Sequence, residues 1–153
     1  MKNGALAFSA ASLNRKTMLL FATYCSANKE VGTDDMPAVK RYISDRITGV
    51  HAMATAAEAR FAILSGQFGL LEAHDPIPYY DHLLHPSELD GMTQRVATTL
   101  KEWGISEIRW FSVAFEMDPN VTRYRDVMLR AATQVDAAFD LDLWSPAGTS
   151  GLV

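Results

Sequence analysis

The stretch Phe61 to Leu84, FAILSGQFGLLEAHDPIPYYDHLL, decides the fold that we predict for this chain. Its first residues, Phe61 to Ser65, carry no charge and are followed by glycine, which predicts a short strand buried on both faces. A long loop rich in proline, tyrosine, histidine and aspartate comes next. Open α/β sheets bind their ligands just past the carboxyl ends of such strands. The stretch therefore predicts a central strand with a candidate site beside it.

Two other apolar segments predict strands before and after this one. Met18 to Tyr24 is apolar apart from Thr23, and Ile105 to Phe115 contains a third strand. Apolar residues recur at helical steps of three and four in the segments between and after them, which run from Pro37 to Ala57, Leu89 to Trp103 and Tyr124 to Ala138. This alternation predicts an α/β fold, a Rossmann-like three-layer sandwich with a mainly parallel central sheet flanked by helices.

The length and composition predict how the chain is organised. A chain of 153 residues, 48% of them hydrophobic, is expected to form a single α/β domain over residues 1–153. Small residues and serines make residues 1–16 an edge strand or a lead-in segment. Residues 145–153, SPAGTSGLV, have the composition of a flexible tail.

Charge and cysteine content narrow the partners and the compartment. A net charge of -4 disfavours binding to long nucleic acid. The single cysteine, Cys25, cannot form an intramolecular disulfide and fits a reducing compartment, so we expect a cytoplasmic protein. No apolar run approaches the length of about 20 residues that a membrane span needs, so no membrane partner is expected. The sequence leaves open whether the protein forms a homodimer.

Right-handed crossovers should bring the carboxyl ends of the predicted strands to one edge of the sheet. We therefore expect the segments Cys25 to Lys29 and Ser65 to Gly69, together with Glu116, to face one crevice. Cys25 is either a reactive thiol near Lys29 or a small apolar residue that ends a buried strand. Glu116 is either an acid at the crevice or a solvated turn residue.

The turn Ser65-Gly66-Gln67-Phe68-Gly69 is a second candidate site. Its glycines let backbone amides approach a ligand, Ser65 and Gln67 can form hydrogen bonds, and Phe68 offers a flat face. The turn lacks the Lys-Ser/Thr ending of a phosphate-binding loop and the third glycine of a dinucleotide fingerprint. The alternative is a glycine turn with Phe68 in the core.

The loop over residues 75–85 is a third candidate site. Tyr79 and Tyr80 could stack on a planar heterocycle, and Asp81 could act as a general acid or base. The alternative is that prolines and tyrosines pack the loop over the sheet edge. A firm fourth ligand and standard spacing are missing, so no metal or other cofactor is expected at the histidines of this region, His74, His82 and His85.

The order of these segments resembles a bacterial and phage domain family of uncharacterised activity. The motifs that carry the resemblance lie between Met18 and Trp110 and are Cys25-Ser26-Ala27-Asn28-Lys29, Tyr42-Ile43-Ser44, Ile63-Leu64-Ser65-Gly66-Gln67-Phe68-Gly69-Leu70-Leu71, and Tyr80-Asp81 with Leu84. This family is distantly similar to the catalytic domain of archaeosine synthases, which attach lysine to a nitrile on a deazaguanine base in tRNA.

The chain departs from these families at several motif positions. Tyr24 stands where archaeosine synthases have a proline, and Ile47 stands where they have a histidine. Phe68 replaces the family's tyrosine or histidine, and Tyr79 replaces its proline. The missing histidine argues against the same nitrile chemistry.

The resemblance implies an enzyme, a transferase or glycosidase, that acts on a purine-like or deazapurine nucleobase or nucleoside by base modification or N-glycosidic transfer. Cys25 would be the nucleophile or a polar anchor, Lys29 would stabilise negative charge, and Asp81 would be the acid or base. The expected ligand-binding residues are Ser26, Tyr42, Ser44, Ser65, Gln67, Phe68, Gly69, Tyr80 and Glu116. The alternative is an accessory protein that binds a nucleotide or nucleobase in this crevice without converting it.

Overall fold

The computed structural model describes residues 18–145, which form a mixed α/β fold around a five-stranded, mostly parallel sheet. Residues 1–16, which we expect to be an edge strand or a lead-in segment, and the part of the expected flexible tail beyond Ser145 lie outside the described residues. The elements in chain order are β1 (Leu19–Tyr24), β2 (Met36–Pro37), α1 (Ala38–Arg41), α2 (Asp45–Ala57), β3 (Arg60–Ser65), β4 (Gly69–Leu71), β5 (Pro76–Ile77), α3 (Leu89–Trp103), β6 (Glu107–Ser112), α4 (Val121–Gln134) and β7 (Ala138–Leu143). Short 3-10 helices, Pro86–Glu88 and Phe115–Met117, lie before α3 and α4.

The strand order of the sheet is β4-β3-β1-β6-β7. β1 pairs in parallel with β3 and β6, and β6 pairs in parallel with β7, whereas β4 folds back antiparallel onto β3. The predicted mainly parallel sheet is thus confirmed. The chain passes from β1 to β3 on one side and then crosses to β6 on the other, so the strand order reverses at β1. Because β1, β3 and β6 run parallel, their carboxyl ends lie at the same edge of the sheet.

Successive residues of β1 belong to different hydrophobic clusters, because successive strand residues point to opposite sides of a sheet. Leu20 and Ala22 of β1 belong to the hydrophobic cluster that contains the buried residues of α3 and α4. Phe21, between them, belongs to the cluster that contains the buried residues of α2. Within residues 18–145 no helix is both long enough and apolar enough to cross a membrane.

The single helix predicted from Pro37 to Ala57 is wrong, because the structure divides it into α1 and α2. Tyr42 leaves the helical conformation, with φ -83 and ψ 129, and its backbone pairs with Lys29 in an isolated bridge. Ser44 then starts α2, since its Oγ accepts a hydrogen bond from the Ile47 amide at 3.1 Å. In the sequence, apolar residues keep a helical spacing across this break, so the periodicity does not reveal it.

The end of the chain also differs from the prediction. The helix predicted to reach Ala138 ends at Gln134, and β7 follows after a left-handed turn residue, Asp136, with φ 60. β7 pairs with β6 along its length, and Asp142 accepts hydrogen bonds from Arg109 of β6. The alternating sequence AFDLDL is the local signal for this strand. The short strand β4 was not predicted either.

Candidate functional site

A cleft of about 240 Å³, which we call the Cys25 cleft, opens at the carboxyl end of β1. The candidate catalytic residues Cys25, Lys29 and Asp81 all line it, and so does Ser26. Cys25 is half-buried and directly follows β1, where its amide donates to the Leu64 carbonyl of β3 at 3.0 Å. The structure therefore brings together residues from the strand end and from the distant 75–85 loop.

Three residues that were not predicted as site residues complete the wall of the Cys25 cleft. Asp118 and Asn120 come from the segment between β6 and α4, and Tyr124 comes from the first turn of α4. The turn Asp118-Pro119-Asn120 comes after β6, whose carboxyl end lies at the same edge of the sheet as that of β1. This position is the sequence signal that could have identified Asp118 and Asn120. Tyr124 carried no such signal, because its position fits the buried stripe of a helix.

A second cleft of about 480 Å³ adjoins the first and shares Cys25, Ser26 and Asp118 with it. Ser44, Asp45 and Arg46, at the start of α2, form its far side; of these, Ser44 was expected to bind ligand. In this structure the Ser44 Oγ is the N-cap of α2 and accepts a hydrogen bond from the Ile47 amide. We call this space the adjoining cleft.

Three predicted ligand-binding residues form a buried chain of hydroxyl groups instead of lining the Cys25 cleft. The Tyr80 hydroxyl lies 2.5 Å from the Tyr42 hydroxyl and 2.9 Å from Ser65 Oγ. Ser65 Oγ also accepts the amides of Gln67 and Phe68, each at 3.0 Å. Both lone pairs of Ser65 are therefore in use, so its own proton must go to Tyr80. The chain ties the end of β3 to the 75–85 loop.

Lys29 lies against this hydroxyl chain. Its Nζ is 4.5 Å from the centre of the Tyr80 ring and 5.9 Å from the centre of the Tyr42 ring. Aromatic faces attract an ammonium group at such distances. The two tyrosines thus hold the lysine charge at the wall of the Cys25 cleft, where negative charge on a reacting group would be stabilised.

The tyrosine hydroxyls around Cys25 are hydrogen-bond donors at neutral pH. Burial raises the pKa of Tyr42, Tyr80 and Tyr124 above the ordinary value of 10.0, and the neighbouring Cys25 raises it further. The Tyr124 oxygen also accepts the Leu84 amide at 3.0 Å. These phenols therefore stay protonated and cannot serve as general bases near pH 7.

Arg46 holds the carboxyl end of β1 in place. Its guanidinium donates to Thr23 Oγ1 and the Tyr24 carbonyl, both at 2.6 Å, and to the Cys25 carbonyl at 3.2 Å. It also lies 3.5 Å from the centre of the Tyr24 ring. Burial lowers the pKa of Arg46, yet an arginine remains charged. It therefore ties the Tyr24 and Cys25 carbonyls to the start of α2.

The other predicted ligand-binding residues lie away from the Cys25 cleft. Phe68 packs edge-on against Tyr80, with ring centres 5.1 Å apart. Gln67 is exposed, and Gly69 begins β4 with φ 77. Glu116 is exposed in the 3-10 helix after β6 and is not among the residues that line either cleft.

The histidines of the predicted loop region have other contacts. His82 Nε2 lies 2.9 Å from Glu88 Oε1, the His85 side chain caps a 3-10 helix, and the His74 ring lies 6.2 Å from the His51 ring. Within residues 18–145 no group of three or more His, Cys, Asp or Glu side chains is arranged to hold a metal ion.

Comparisons with protein-family models, with curated proteins and with solved structures return no match.

Proposed function

We propose that this protein is an enzyme that acts on a purine-like or deazapurine nucleobase, free or in a nucleoside, by base modification or N-glycosidic transfer. The observation that carries the proposal is that Cys25, Lys29 and Asp81 line one cleft. Cys25 is the nucleophile or a polar anchor, Lys29 stabilises negative charge that develops during the reaction, and Asp81 is the acid or base.

The architecture supports a ligand at this place. We infer a Rossmann-like three-layer sandwich, with α2 on one face of the sheet and α3 and α4 on the other. In such folds ligands bind outside the carboxyl ends of the strands, where the strand order reverses. The order here reverses at β1, and Cys25 is the first residue after that strand.

The size of the clefts supports a base or a nucleoside. Pockets for drug-sized ligands measure about 300–1,000 Å³. The Cys25 cleft, at about 240 Å³, suits a single fused ring system. The adjoining cleft, at about 480 Å³, leaves room for an attached sugar. A base in the first cleft would have Cys25 and Lys29 within its own walls.

The resemblance to the archaeosine synthase catalytic domain supports the same ligand class. The motif residues Cys25, Lys29, Tyr42, Ser65 and Tyr80, which are distant in sequence, all contact or lie close to one another. One motif position does not take part. The fully buried Ile47 packs in the α2 cluster, so the reaction would proceed without the histidine of archaeosine synthases.

A second candidate function is non-catalytic binding of a nucleobase or nucleotide. The observation that favours it is that, within residues 18–145, the Cys25 thiol makes no hydrogen bond to a histidine or a carboxylate, although Asp81 lines the same cleft. His82 directs Nε2 to Glu88, and the hydroxyls of Tyr80 and Tyr124 are protonated donors. A nucleophile is ordinarily activated by a base within hydrogen-bond reach, and that set is incomplete here.

Product analysis combined with thermal stability separates the two functions. The purified protein is incubated with a panel of purine nucleosides, deazapurine bases and nitrile-bearing bases, and the mixtures are analysed by mass spectrometry. For the enzyme we expect a product with the wild type that is lost in Cys25→Ala, Lys29→Ala and Asp81→Asn. The control is Asp90→Asn, because Asp90 is an exposed carboxylate on α3 outside both clefts.

The alternative outcomes each have a clear meaning. A rise in melting temperature with a panel compound, without product, identifies the non-catalytic binder. A product that survives all three cleft substitutions shows that the reaction occurs elsewhere. If no compound is converted or raises the melting temperature, the nucleobase proposal is wrong.

A further inference from the structure

The helix N-termini at the two clefts have most or some of their amide groups occupied. Phosphate groups are commonly bound by free amides at a helix N-terminus. At the start of α4, however, the amides of residues 121, 122 and 123 donate to the carbonyls of residues 118, 119 and 120 at 3.1–3.3 Å. At the start of α2, Ser44 accepts the amides of Ile47 and Thr48, and Asp45 adds a negative charge to the first turn. The first amides of α4 are therefore not free for a phosphate, and at the start of α2 the Asp45 carboxylate opposes one.

The positive groups at the clefts are also committed to other contacts. Arg46, which is 8% exposed, directs its guanidinium to Thr23 Oγ1 and to two main-chain carbonyls. Lys29 lies on the ring of Tyr80. Tight phosphate binding generally uses an arginine fork or several free donors. Among the described residues that line the Cys25 cleft, Lys29 is the one lysine or arginine.

The negative groups, in contrast, are available. Asp81 is exposed and has no hydrogen-bond or ion-pair partner within residues 18–145. Asp118 lines both clefts, accepts one hydrogen bond, from the Asn120 amide at 3.1 Å, and lies near enough to the Arg46 guanidinium to interact with its charge. Asp45 is a third carboxylate, at the adjoining cleft. Carboxylates accept hydrogen bonds from amino and ring N–H groups and repel phosphate.

We propose that this site selects an unphosphorylated ligand, a free base or nucleoside with N–H donors on its ring edge, over the corresponding nucleotide. This inference rests on the proposed function and narrows its substrate class. Asp81 and Asp118 are the selecting residues. They accept N–H groups of the base in the Cys25 cleft, and the charge of Asp118, together with that of Asp45, opposes a phosphate in the adjoining cleft.

Paired titrations test the selection directly. Binding of adenosine, guanosine and their 5′-monophosphates is measured by calorimetry at 50 mM and 500 mM NaCl. We expect the wild type to bind at least one nucleoside about tenfold more tightly than its monophosphate at low salt, because like charges repel across the cleft. The ratio should shrink at high salt, where the charges are screened.

Neutral variants identify the residues responsible. Asp118→Asn combined with Asp81→Asn should reduce the ratio several-fold, mainly through tighter binding of the monophosphate. Asp90→Asn changes the net charge by one unit away from the clefts and should leave the ratio unchanged. A wild type that binds the monophosphate as tightly as the nucleoside overturns this inference while the proposed function stands. If neither ligand class binds, both fail together.

Discussion

The Tyr80 hydroxyl lies 2.5 Å from the Tyr42 hydroxyl, although 38 residues separate the two tyrosines in sequence. The Tyr80 hydroxyl also accepts a hydrogen bond from the fully buried Ser65, so it joins the end of β3, the 75–85 loop and the segment between α1 and α2. Lys29 rests on the same ring. Tyr80 therefore links the 75–85 loop and Lys29, which both contribute to the Cys25 cleft, to Ser65 and Tyr42.

Removing this hydroxyl should destabilise the protein. Tyr80→Phe leaves the buried polar groups of Ser65 and Tyr42 without their shared partner, which costs about 1–3 kcal/mol of unfolding free energy. Urea unfolding measures the change. The matched control is the neighbouring Tyr79→Phe, because Tyr79 is 45% exposed and has no hydrogen bond to a described residue through its hydroxyl. Equal effects of the two substitutions would contradict the role that we give to Tyr80.

Stability should fall in alkali because buried tyrosines resist ionisation. The pKa of Tyr42, Tyr80 and Tyr124 is raised in the folded protein, so above pH 10 the unfolded state binds fewer protons than the folded state. The unfolding free energy then decreases by about 1.4 kcal/mol per pH unit for each such tyrosine. The stabilising contribution is present in full below pH 10.

A series of urea unfolding curves from pH 8.5 to pH 11 checks this pH dependence. In Tyr80→Phe the decline above pH 10 should be shallower than in the wild type by about 1.4 kcal/mol per pH unit, because one of the raised groups is gone. Parallel declines in the two proteins would show that Tyr80 ionises alike in the folded and unfolded states.

Gly66 should not tolerate a side chain. A Cβ at this position would lie 2.9 Å from the Leu84 backbone nitrogen and 2.9 Å from the Tyr124 hydroxyl, and the backbone cannot move away easily. We expect Gly66→Ala to lower the unfolding free energy by about 1–3 kcal/mol through this overpacking. Thermal or urea unfolding measures the loss.

Gly91 provides the opposite control. It lies within α3, and a Cβ there would meet no atom within 4 Å. Gly91→Ala should therefore raise stability by about 0.5–1 kcal/mol, as alanine does at an open helical position. If both alanine variants change stability in the same direction, the close approach of Tyr124 and Leu84 to Gly66 is not what limits that position.

Arg46 should be irreplaceable by lysine. A lysine has no planar fork, so it cannot reach Thr23 Oγ1 and the Tyr24 and Cys25 carbonyls together. We expect Arg46→Lys to cost about 1.5–3 kcal/mol of unfolding free energy. Arg130→Lys, at a side chain that is 53% exposed, should change it by less than about 0.5 kcal/mol. Similar losses in the two variants would rule out the strand-end role of Arg46.

Local sequence patterns predicted the central part of the fold and failed where a non-local contact decided the outcome. The apolar runs that became β1 and β3 need no partner to be recognised, since strands buried on both faces are apolar throughout. β7 is different. Its first residue, Ala138, fits the end of the predicted helical stripe, whereas AFDLDL alternates as a strand does, and β7 pairs with β6 along its length.

At the candidate site, too, the direction of the side chains depended on non-local contacts that the sequence pattern does not show. Tyr80 was expected to stack on a ligand, and Asp118, Asn120 and Tyr124 were not expected at the site. A residue's position in a loop does not say whether its polar end meets solvent, ligand or a buried hydroxyl. Ser65 settles this for Tyr80, because a fully buried oxygen must find its hydrogen-bond partner within the fold.

The sequence by itself determined the mainly parallel sheet, because alternating buried strands and amphipathic helices have few other ways to cover their apolar faces. The meeting of strand ends at one edge follows from that arrangement, and it makes Cys25 a candidate site residue from the sequence alone. The tertiary structure alone decided which side chains surround Cys25. Tyr80 turned inward to Tyr42 and Ser65, while Asp118 and Tyr124 came to the cleft, because hydrogen bonding of buried polar groups depends on contacts between distant segments.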